Sequence, residues 1–454
     1  MSWIVDLKRD KKSNYVVQEL CSAEGDLRLD TACGKGRLGI IVCSERCSWL
    51  DIRTALQTAT ADAQVIVVHV GRSVVDPWAE LAVGASDVLR WDDDTEPVQA
   101  QLARIREVEE FIDSRTVSEV IVGRSTALRR ALRELITAAR FGSGPILILG
   151  ETGTGKELAA RVAHQVGCSK SNGQLVVVDC TTIVPGLLGS ELFGHERGAF
   201  TGAVAARSGA CAAADEGALF LDEVGDLPLE LQPEFMRVVQ EGAYKRVGGD
   251  RWQHSNFRLI CATNRNLSRD VDTGRFRSDL YYRIAASTVL MPPLRERGSD
   301  VLDLFAHFYA EASGRSDPVR LDAAVKRALC ERTYPGNLRD LRQVAHRVAA
   351  RHVGGGPITP GDLPPEDRPQ CGEGDIETSS AAAVDDEALA AAVREAVAVG
   401  KTLRELRDEV GDLAVAAAMA ECQGNVRAAA ARLGVTDRAL HLRRARARDT
   451  PSPT

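Results

Sequence analysis

Pro145-Ile146-Leu147-Ile148-Leu149-Gly150-Glu151-Thr152-Gly153-Thr154-Gly155-Lys156-Glu157 decides the fold of the middle of this chain. Its first five residues are an uninterrupted apolar run of the length of a buried strand. Leu158-Ala159-Ala160-Arg161-Val162, beyond it, has helical spacing. The three glycines between them let the backbone curl so that successive N–H groups and the helix N-terminus face one anion, with Lys156 reaching the outer phosphates. Strand, glycine-rich loop and helix make a P-loop in an α/β fold. Spaced glycines alone are common; their place between a strand and a helix is what makes them informative. Glu157 stands where the general motif has Ser or Thr, so the usual hydroxyl ligand for Mg²⁺ is absent.

Working outward, Ala218-Leu219-Phe220-Leu221 reads as a second buried strand and ends in Asp222-Glu223. Mg²⁺ prefers hard oxygen ligands, which suits Asp222, directly or through water. Glu223 is then placed to orient or deprotonate an attacking water. Leu259-Ile260-Cys261-Ala262-Thr263 is a third strand, ending in the amide of Asn264, and Leu175-Val176-Val177-Val178 a fourth, ending in Asp179. A carboxylate at 179 beside an ionised Glu223 would repel it, where an amide would donate a hydrogen bond. Between these strands lies Gly198-Ala199-Phe200-Thr201-Gly202-Ala203, whose glycines predict a mobile loop that presents Phe200 and Thr201 outward.

At 454 residues the chain has room for about three domains. Hydrophobic residues at 44% and charged residues at 27% fit a soluble globular protein with ample core. No apolar run approaches the roughly 20 residues of a membrane span, and Met1-Ser2-Trp3-Ile4-Val5-Asp6 lacks a basic signal-peptide region, so the expected setting is the cytoplasm without a membrane. The 11 cysteines include no Cys-x-x-Cys pair, which points to reduced thiols. Cys43 and Cys47, the nearest two, leave a redox or metal-sensing role open. A net charge of −7 argues against nucleic-acid binding over the whole surface but allows one basic module.

In residues 1–114, Ile4-Val5, Leu38 to Val42 and Val65 to Val68 read as buried strands, and 49–58 and 97–112 as helices, which implies a parallel α/β sheet. From 361 to 386, glycines and prolines give way to an acidic, small-residue stretch that reads as a linker. Beyond it, helices at 415–421 and 426–433 flank Gly424-Asn425. Gly434-Val435 then turns into a third helix that Thr436 caps. This is a helix-turn-helix layout, in which Arg438, His441, Arg443 and Arg444 would face double-stranded DNA and Arg427 and Arg432 would clamp its backbone. A basic helix packed on an acidic partner is the alternative.

The order of these motifs resembles that of the bacterial sigma-54-dependent activators, or enhancer-binding proteins, over residues 120 to 446. Residues 198–203 match the family's GAFTGA loop, which touches the sigma factor and which ATP hydrolysis moves. The family carries glutamate at the position of Glu157 and commonly Asn at that of Asp179, where it restrains the catalytic glutamate. The resemblance implies an AAA+ ATPase using ATP and Mg²⁺, with Asn264 as sensor I and Arg339, in Pro335-Gly336-Asn337-Leu338-Arg339, as sensor II. It implies an arginine finger in Phe276 to Arg283, with Arg283 favoured over Arg277. Tyr334 replaces a frequent tryptophan and keeps its aromatic body. The implied domains are a degenerate receiver-like regulator at 1–114, an AAA+ domain at 120–360 (α/β to 293, helical lid from 294), a linker at 361–386 and a Fis-type helix-turn-helix at 387–448. In the first, Leu7 follows Asp6 where a second acid is usual, Cys43 falls near the phospho-acceptor position and Trp91 replaces a lysine, so phosphorylation is not expected. The implied partners are sigma-54 RNA polymerase, an upstream DNA site and further copies of the chain, from dimer to hexameric ring. A repressor using the ATPase only as an oligomerisation switch and a general AAA+ remodeller are the competing readings.

Overall fold

A computed structural model describes residues 2–369, apart from 31–32, 34–35, 72–74, 168–172, 183–184 and 316, and beyond them Val415, Ala418 and Met419. Residues up to Pro369 form one compact unit and those from Gln370 a second.

The apolar runs of the first region become β1 (Ser2–Asp6), β2 (Leu27–Leu29), β3 (Leu38–Ser44), β4 (Gln64–Val70) and β5 (Asp87–Trp91), all parallel in the order β2-β1-β3-β4-β5. Helices α1 (Lys11–Ala23), α2 (Trp49–Thr58), α3 (Pro77–Val83) and α4 (Glu96–Asp113) connect the strands or follow the last. Side chains alternate across a strand, so Ile40 and Val42 pack with Val16 and Leu20 of α1 and Leu102 of α4, while Ile41 and Cys43 pack with Ile52 and Leu56 of α2. With both faces covered, β3 is buried at every residue. The strand order reverses between β1 and β3, which opens a crevice at the carboxyl ends of those strands. Helix α1 is absent from the sequence expectation, although Asp10 and Ser13 form a capping box at its start.

After α5 (Arg115–Ser118), α6 (Thr126–Phe141) packs along α4. Arg129 of α6 is buried among the carboxylates of Asp62, Glu109 and Asp113, and Arg133 also reaches Asp62 and Glu109. A second parallel sheet follows, with β6 (Ile146–Leu149), β7 (Leu175–Asp179), β8 (Ala218–Asp222), β11 (Arg258–Thr263) and β12 (Ser287–Leu290) in the order β12-β6-β11-β8-β7. Helices α7 (Lys156–Gly167), α8 (Pro185–Phe193), α9 (Ala210–Ala213), α10 (Gln232–Glu241), α11 (Leu267–Asp272) and α12 (Ser278–Ile284) lie in the connections, with the hairpin β9 (Ala243–Lys245) and β10 (Trp252–His254). Helices α13 (Val301–Ser313), α14 (Ala323–Glu331) and α15 (Asn337–Arg351) form a lid with its own core around Phe305, Tyr309, Tyr334 and Val344. Residues 361–368, expected to be linker, fold back on this lid: Leu363 joins its core, and Asp367 pairs with Arg332 and Arg347.

Candidate functional site: a P-loop closed by a helical lid

Register brings the site together. β6 pairs with β11 so that Leu149 meets Thr263, β11 with β8 so that Cys261 meets Leu221, and β8 with β7 so that Asp222 meets Asp179. The residues that follow each strand therefore converge at one end of the sheet. Gly150, Gly153 and Gly155 have positive φ, and Lys156 Nζ, almost fully buried, donates to Gly150 O at 3.0 Å and lies 3.2 Å from Glu223 Oε1. Glu223 Oε2 accepts the backbone N–H of Asn264 at 2.9 Å, and Asn264 Nδ2 donates to Thr152 Oγ1 at 2.7 Å. Glu223 has φ +50°, a left-handed backbone that only a structured surround imposes on a side chain of this kind. Thr154 is buried and turns its hydroxyl to Glu151 O, whereas Glu157 points out and pairs with Arg161.

Burial pushes the Asp222 carboxyl up; the negative charges of Glu223 and Asp179 add to this, and Lys156 opposes it. The Asp179 carboxylate is held within its own turn: its Oδ1 accepts Thr181 N at 2.8 Å and Thr181 Oγ1 at 2.6 Å. Its negative charge helps hold the neighbouring Asp222 carboxyl above its usual range, so that Asp222 ionises less readily.

The lid reaches the loop through residues that sequence reading passed over. Leu338 N–H donates to Gly153 O at 2.9 Å, and Asn337, buried with φ +51°, donates to Thr152 O at 3.0 Å and Glu151 Oε2 at 3.1 Å while accepting from Leu294 N. Arg295 pairs with Glu151 at 2.6 Å, and this contact, ahead of that of Asn337, holds the Glu151 carboxyl down at about 2. Gly153 has φ +80°, and a Cβ there would sit 2.4 Å from Gly336 O and 3.5 Å from the Cβ of Arg339, so only glycine lets loop and lid approach this closely. Arg339 is exposed on the first turn of α15. The signal for Asn337 is its place in the Pro-Gly-Asn turn, whose Tyr334 is also left-handed at φ +48° and donates its hydroxyl to Leu329 O. Beside Thr154 and Gly155, Ile121, Val122, Leu158, Met291, Phe308 and Leu338 line a narrow apolar cavity between sheet and lid.

Residues 198–203 close a tight loop: Gly198 N–H donates to Ala203 O at 2.8 Å, and Gly198 and Gly202 have φ +82° and +106°. Thr201 is exposed as expected, but Phe200 is half-buried, with its ring edge-on to His195 at 5.0 Å, because His195 is itself fixed by Ser190 Oγ at 2.7 Å. The base of the loop rests on the turn between β9 and β10, where Glu196 N donates to Val247 O and a Cβ on Gly248 would sit 2.8 Å from that of Ala199.

Arg277 and Arg283 are exposed at the start and in the last turn of α12: Arg277 pairs with Asp279 at 2.8 Å, and Arg283 lines a cavity of about 870 Å³ with Asn256 and Tyr282. Among the described residues neither contacts the P-loop. Arg427, Arg432, Thr436, Arg438, His441, Arg443 and Arg444 lie outside the described residues. No cluster of three or more His, Cys, Asp or Glu among the described residues has metal-holding geometry, and none of their helices is long and apolar enough to cross a membrane.

Residues 121–290 match the sigma-54 interaction domain and residues 295–379 the AAA+ ATPase lid domain, which are the two parts that meet at the P-loop. The chain carries the sigma-54 interaction domain and the AAA+ ATPase lid domain. The nitric oxide reductase transcription regulator NorR2 of Cupriavidus necator is 40% identical over 336 residues, which cover 71% of this chain and 61% of that protein. The formate hydrogenlyase transcriptional activator FhlA of Escherichia coli is 46% identical over 231 residues, 50% of this chain and 33% of its own. SfnR of Pseudomonas putida, named a sigma54-dependent transcriptional activator, is 44% identical over 225 residues, 49% of this chain and 60% of its own. The matches thus span about a third to three fifths of these relatives. The crystal structure of NtrX from Brucella abortus in complex with ATP has a TM-score of 0.50 at 26% identity and covers 97% of each chain.

Proposed function

We propose that this chain is a sigma-54 activator that hydrolyses ATP and uses the energy to remodel the closed complex of sigma-54 RNA polymerase into an open one. The observation that carries the reading is Glu223, held between Lys156 Nζ at 3.2 Å and Asn264 N at 2.9 Å at the mouth of a glycine loop. Lys156 can exchange the Glu223 carboxylate for a phosphate oxygen. Glu223, released on one side and still fixed by Asn264, then takes the proton of the attacking water. Asn337 and Arg295 fix the lid over the loop, and the apolar slot beside Thr154 suits a nucleobase. Asp222, a carboxylate crowded by Glu223 and Asp179, fits a hard divalent cation, directly or through water. Mg²⁺ bound there would neutralise charge on the phosphates.

Arg283, with Arg277 as second candidate, would reach the site of a neighbouring copy in a ring, probing its γ-phosphate as a finger. Arg339 would face the nucleotide from the lid. The Gly198 to Ala203 loop would contact the sigma factor, and residues 387–448 would hold an upstream DNA site as a dimer in the cytoplasm. Residues 1–114 would act as a receiver-like regulator without phosphorylation, since Cys43 is placed at the carboxyl end of β3, where a phospho-acceptor would need a carboxylate.

Transcription in vitro from a sigma-54 promoter tests this, comparing wild type with Thr201→Ala and Glu223→Gln. The first variant is expected to hydrolyse ATP without opening the promoter, the second to bind ATP and lose at least about a hundredfold in turnover. Open-complex formation by Thr201→Ala at the wild-type level would refute the loop's role.

A further inference from the structure

The crevice of the first sheet holds a pair of thiols that the ATPase reading leaves unused. Cys43 is the penultimate residue of β3 and fully buried, and Cys47 closes the turn that leaves the strand, its N–H donating to Ser44 O at 3.0 Å. That turn doubles the chain back on itself, and Cys47 packs against the buried cluster that holds Cys43. Cys47 is half-buried and lines an open cavity of about 540 Å³ with Arg46, Ser48, Trp49 and Asp76, so a small solute reaches it without unfolding the sheet. Cys33, in the same cluster, is engaged elsewhere and donates to Ala55 O at 3.0 Å.

The two sulfurs differ in a way that suits chemistry. Cys47 is brought down to about 7, first by the hydrogen bond from Cys43, then by the Ser44 backbone and side chain and by Lys8. Cys43 is pushed up, first by Cys47, then by burial and by the charges of Glu80 and Asp6. Cys47 is the partner that ionises more readily, and Cys43 the one that keeps its proton.

We propose that Cys47 and Cys43 form a peroxide-oxidisable dithiol in which Cys47 attacks, Cys43 resolves, and a hydroperoxide converts the pair into a disulfide at the carboxyl end of β3. The Cys47 sulfur attacks the terminal peroxide oxygen, the O–O bond breaks, and the leaving group takes a proton and departs as an alcohol, or as water from hydrogen peroxide. The resulting sulfenic acid is displaced by the Cys43 sulfur: the S–S bond forms, and the hydroxyl leaves as water with the Cys43 proton. Two thiols lose two electrons, and the peroxide takes both. The inference does not depend on the function of the P-loop.

Full-length protein treated with stoichiometric hydrogen peroxide at neutral pH, alkylated and digested with trypsin without reduction tests this. Trypsin cuts after Arg37, Arg46 and Arg53, so the disulfide leaves peptides 38–46 and 47–53 linked. Expected are the linked pair, its loss on treatment with a thiol reductant, and a Cys43→Ala protein in which dimedone traps a sulfenic acid at Cys47 instead. In the wild type, alkylation of Cys47 by iodoacetamide should have its midpoint near pH 7, a measurement that needs no variant to fold. A linked Cys33–Cys47 pair, oxidation of Cys47 no faster than that of exposed Cys330, or an alkylation midpoint above about pH 8.5, the value of a free thiol, would each overturn the proposal.

Discussion

Asp300→Ala should unlock the lid from the strand-side wall of the nucleotide slot. Asp300 Oδ1 accepts the N–H groups of Arg124 at 2.6 Å and Ser125 at 2.8 Å, and Oδ2 accepts Ser125 Oγ at 2.6 Å and Arg297 Nε at 3.1 Å. Arg297 also donates to Val122 O, and both side chains of the ion pair are 2% exposed. Burial alone pulls the Arg297 guanidinium down from its usual range, against the pull of Asp300. Removing the carboxylate strands that guanidinium and three further donors, at a cost of about 3–5 kcal/mol. At about 1.4 kcal/mol per factor of ten, hydrogen exchange over 121–125 should quicken by about two to three and a half orders of magnitude. Val122 lines the slot, so ATP binding should weaken in the same variant. A matched double variant, Arg297→Met with Asp300→Leu, removes the stranded charge and should recover part of the protection, because only the two backbone N–H groups and the Ser125 hydroxyl then lack an acceptor. Exchange within threefold of wild type in Asp300→Ala, or a double variant at the sum of the two single ones, would refute the reasoning.

Three other changes probe the site and its supports. Asp179→Asn removes one of the charges that raise Asp222; since a raised carboxyl needs a higher pH to ionise, the acidic limb of the ATPase pH profile should move to lower pH, and an unmoved limb would mean Asp179 is electrostatically silent. Gly153→Ala forces a Cβ to 2.4 Å from Gly336 O at φ +80°, so the affinity for ATP measured by titration calorimetry should fall at least about tenfold, and an unchanged value would show that the lid yields freely. Arg129→Met leaves Asp62, Glu109 and Asp113 with less positive charge between them and should cost about 2 kcal/mol at the α4–α6 contact, seen as faster proteolysis near 114–120; cleavage at the wild-type rate would count against that cluster as a clasp.

The central strands of both sheets were legible because parallel, doubly covered strands read as apolar runs, as Leu38 to Val42 and Pro145 to Leu149 do, whereas the short edge strands β2 and β12 were not foreseen. The chemistry at their ends was legible for the same reason: Asp222, Glu223 and Asn264 are polar residues set directly after long apolar stretches. What stayed hidden depends on sequence-distant partners. Asp300 lies 176 residues from Arg124, Arg295 lies 144 from Glu151, and nothing in their local patterns distinguishes them from solvated charges. Phe200 was misread for a related reason, since its half-burial depends on His195, whose ring is set by Ser190 one helix turn earlier. Asp179 was placed correctly along its strand, but the direction of its carboxylate was settled by Thr181, two residues on.

On the proposed chemistry, binding and readiness for hydrolysis would be joined at Lys156. With Nζ shared among Gly150 O, Glu151 O and Glu223, the one buried cation of the loop is satisfied by the group proposed as base. On the proposed chemistry a phosphate oxygen competes for Lys156, and the same exchange that anchors the nucleotide loosens Glu223 towards water. The backbone N–H of Asn264 keeps Glu223 in place meanwhile, and the Asn264 side chain is tied to Thr152 in the loop itself. Site assembly thus senses the loop from two sides. It follows that Asn264→Ala should impair turnover more than binding, because it cuts the tie to Thr152 without touching Lys156. If single-turnover and binding measurements showed an equal loss in both, Asn264 would be acting on the shape of the loop and not on the readiness of Glu223.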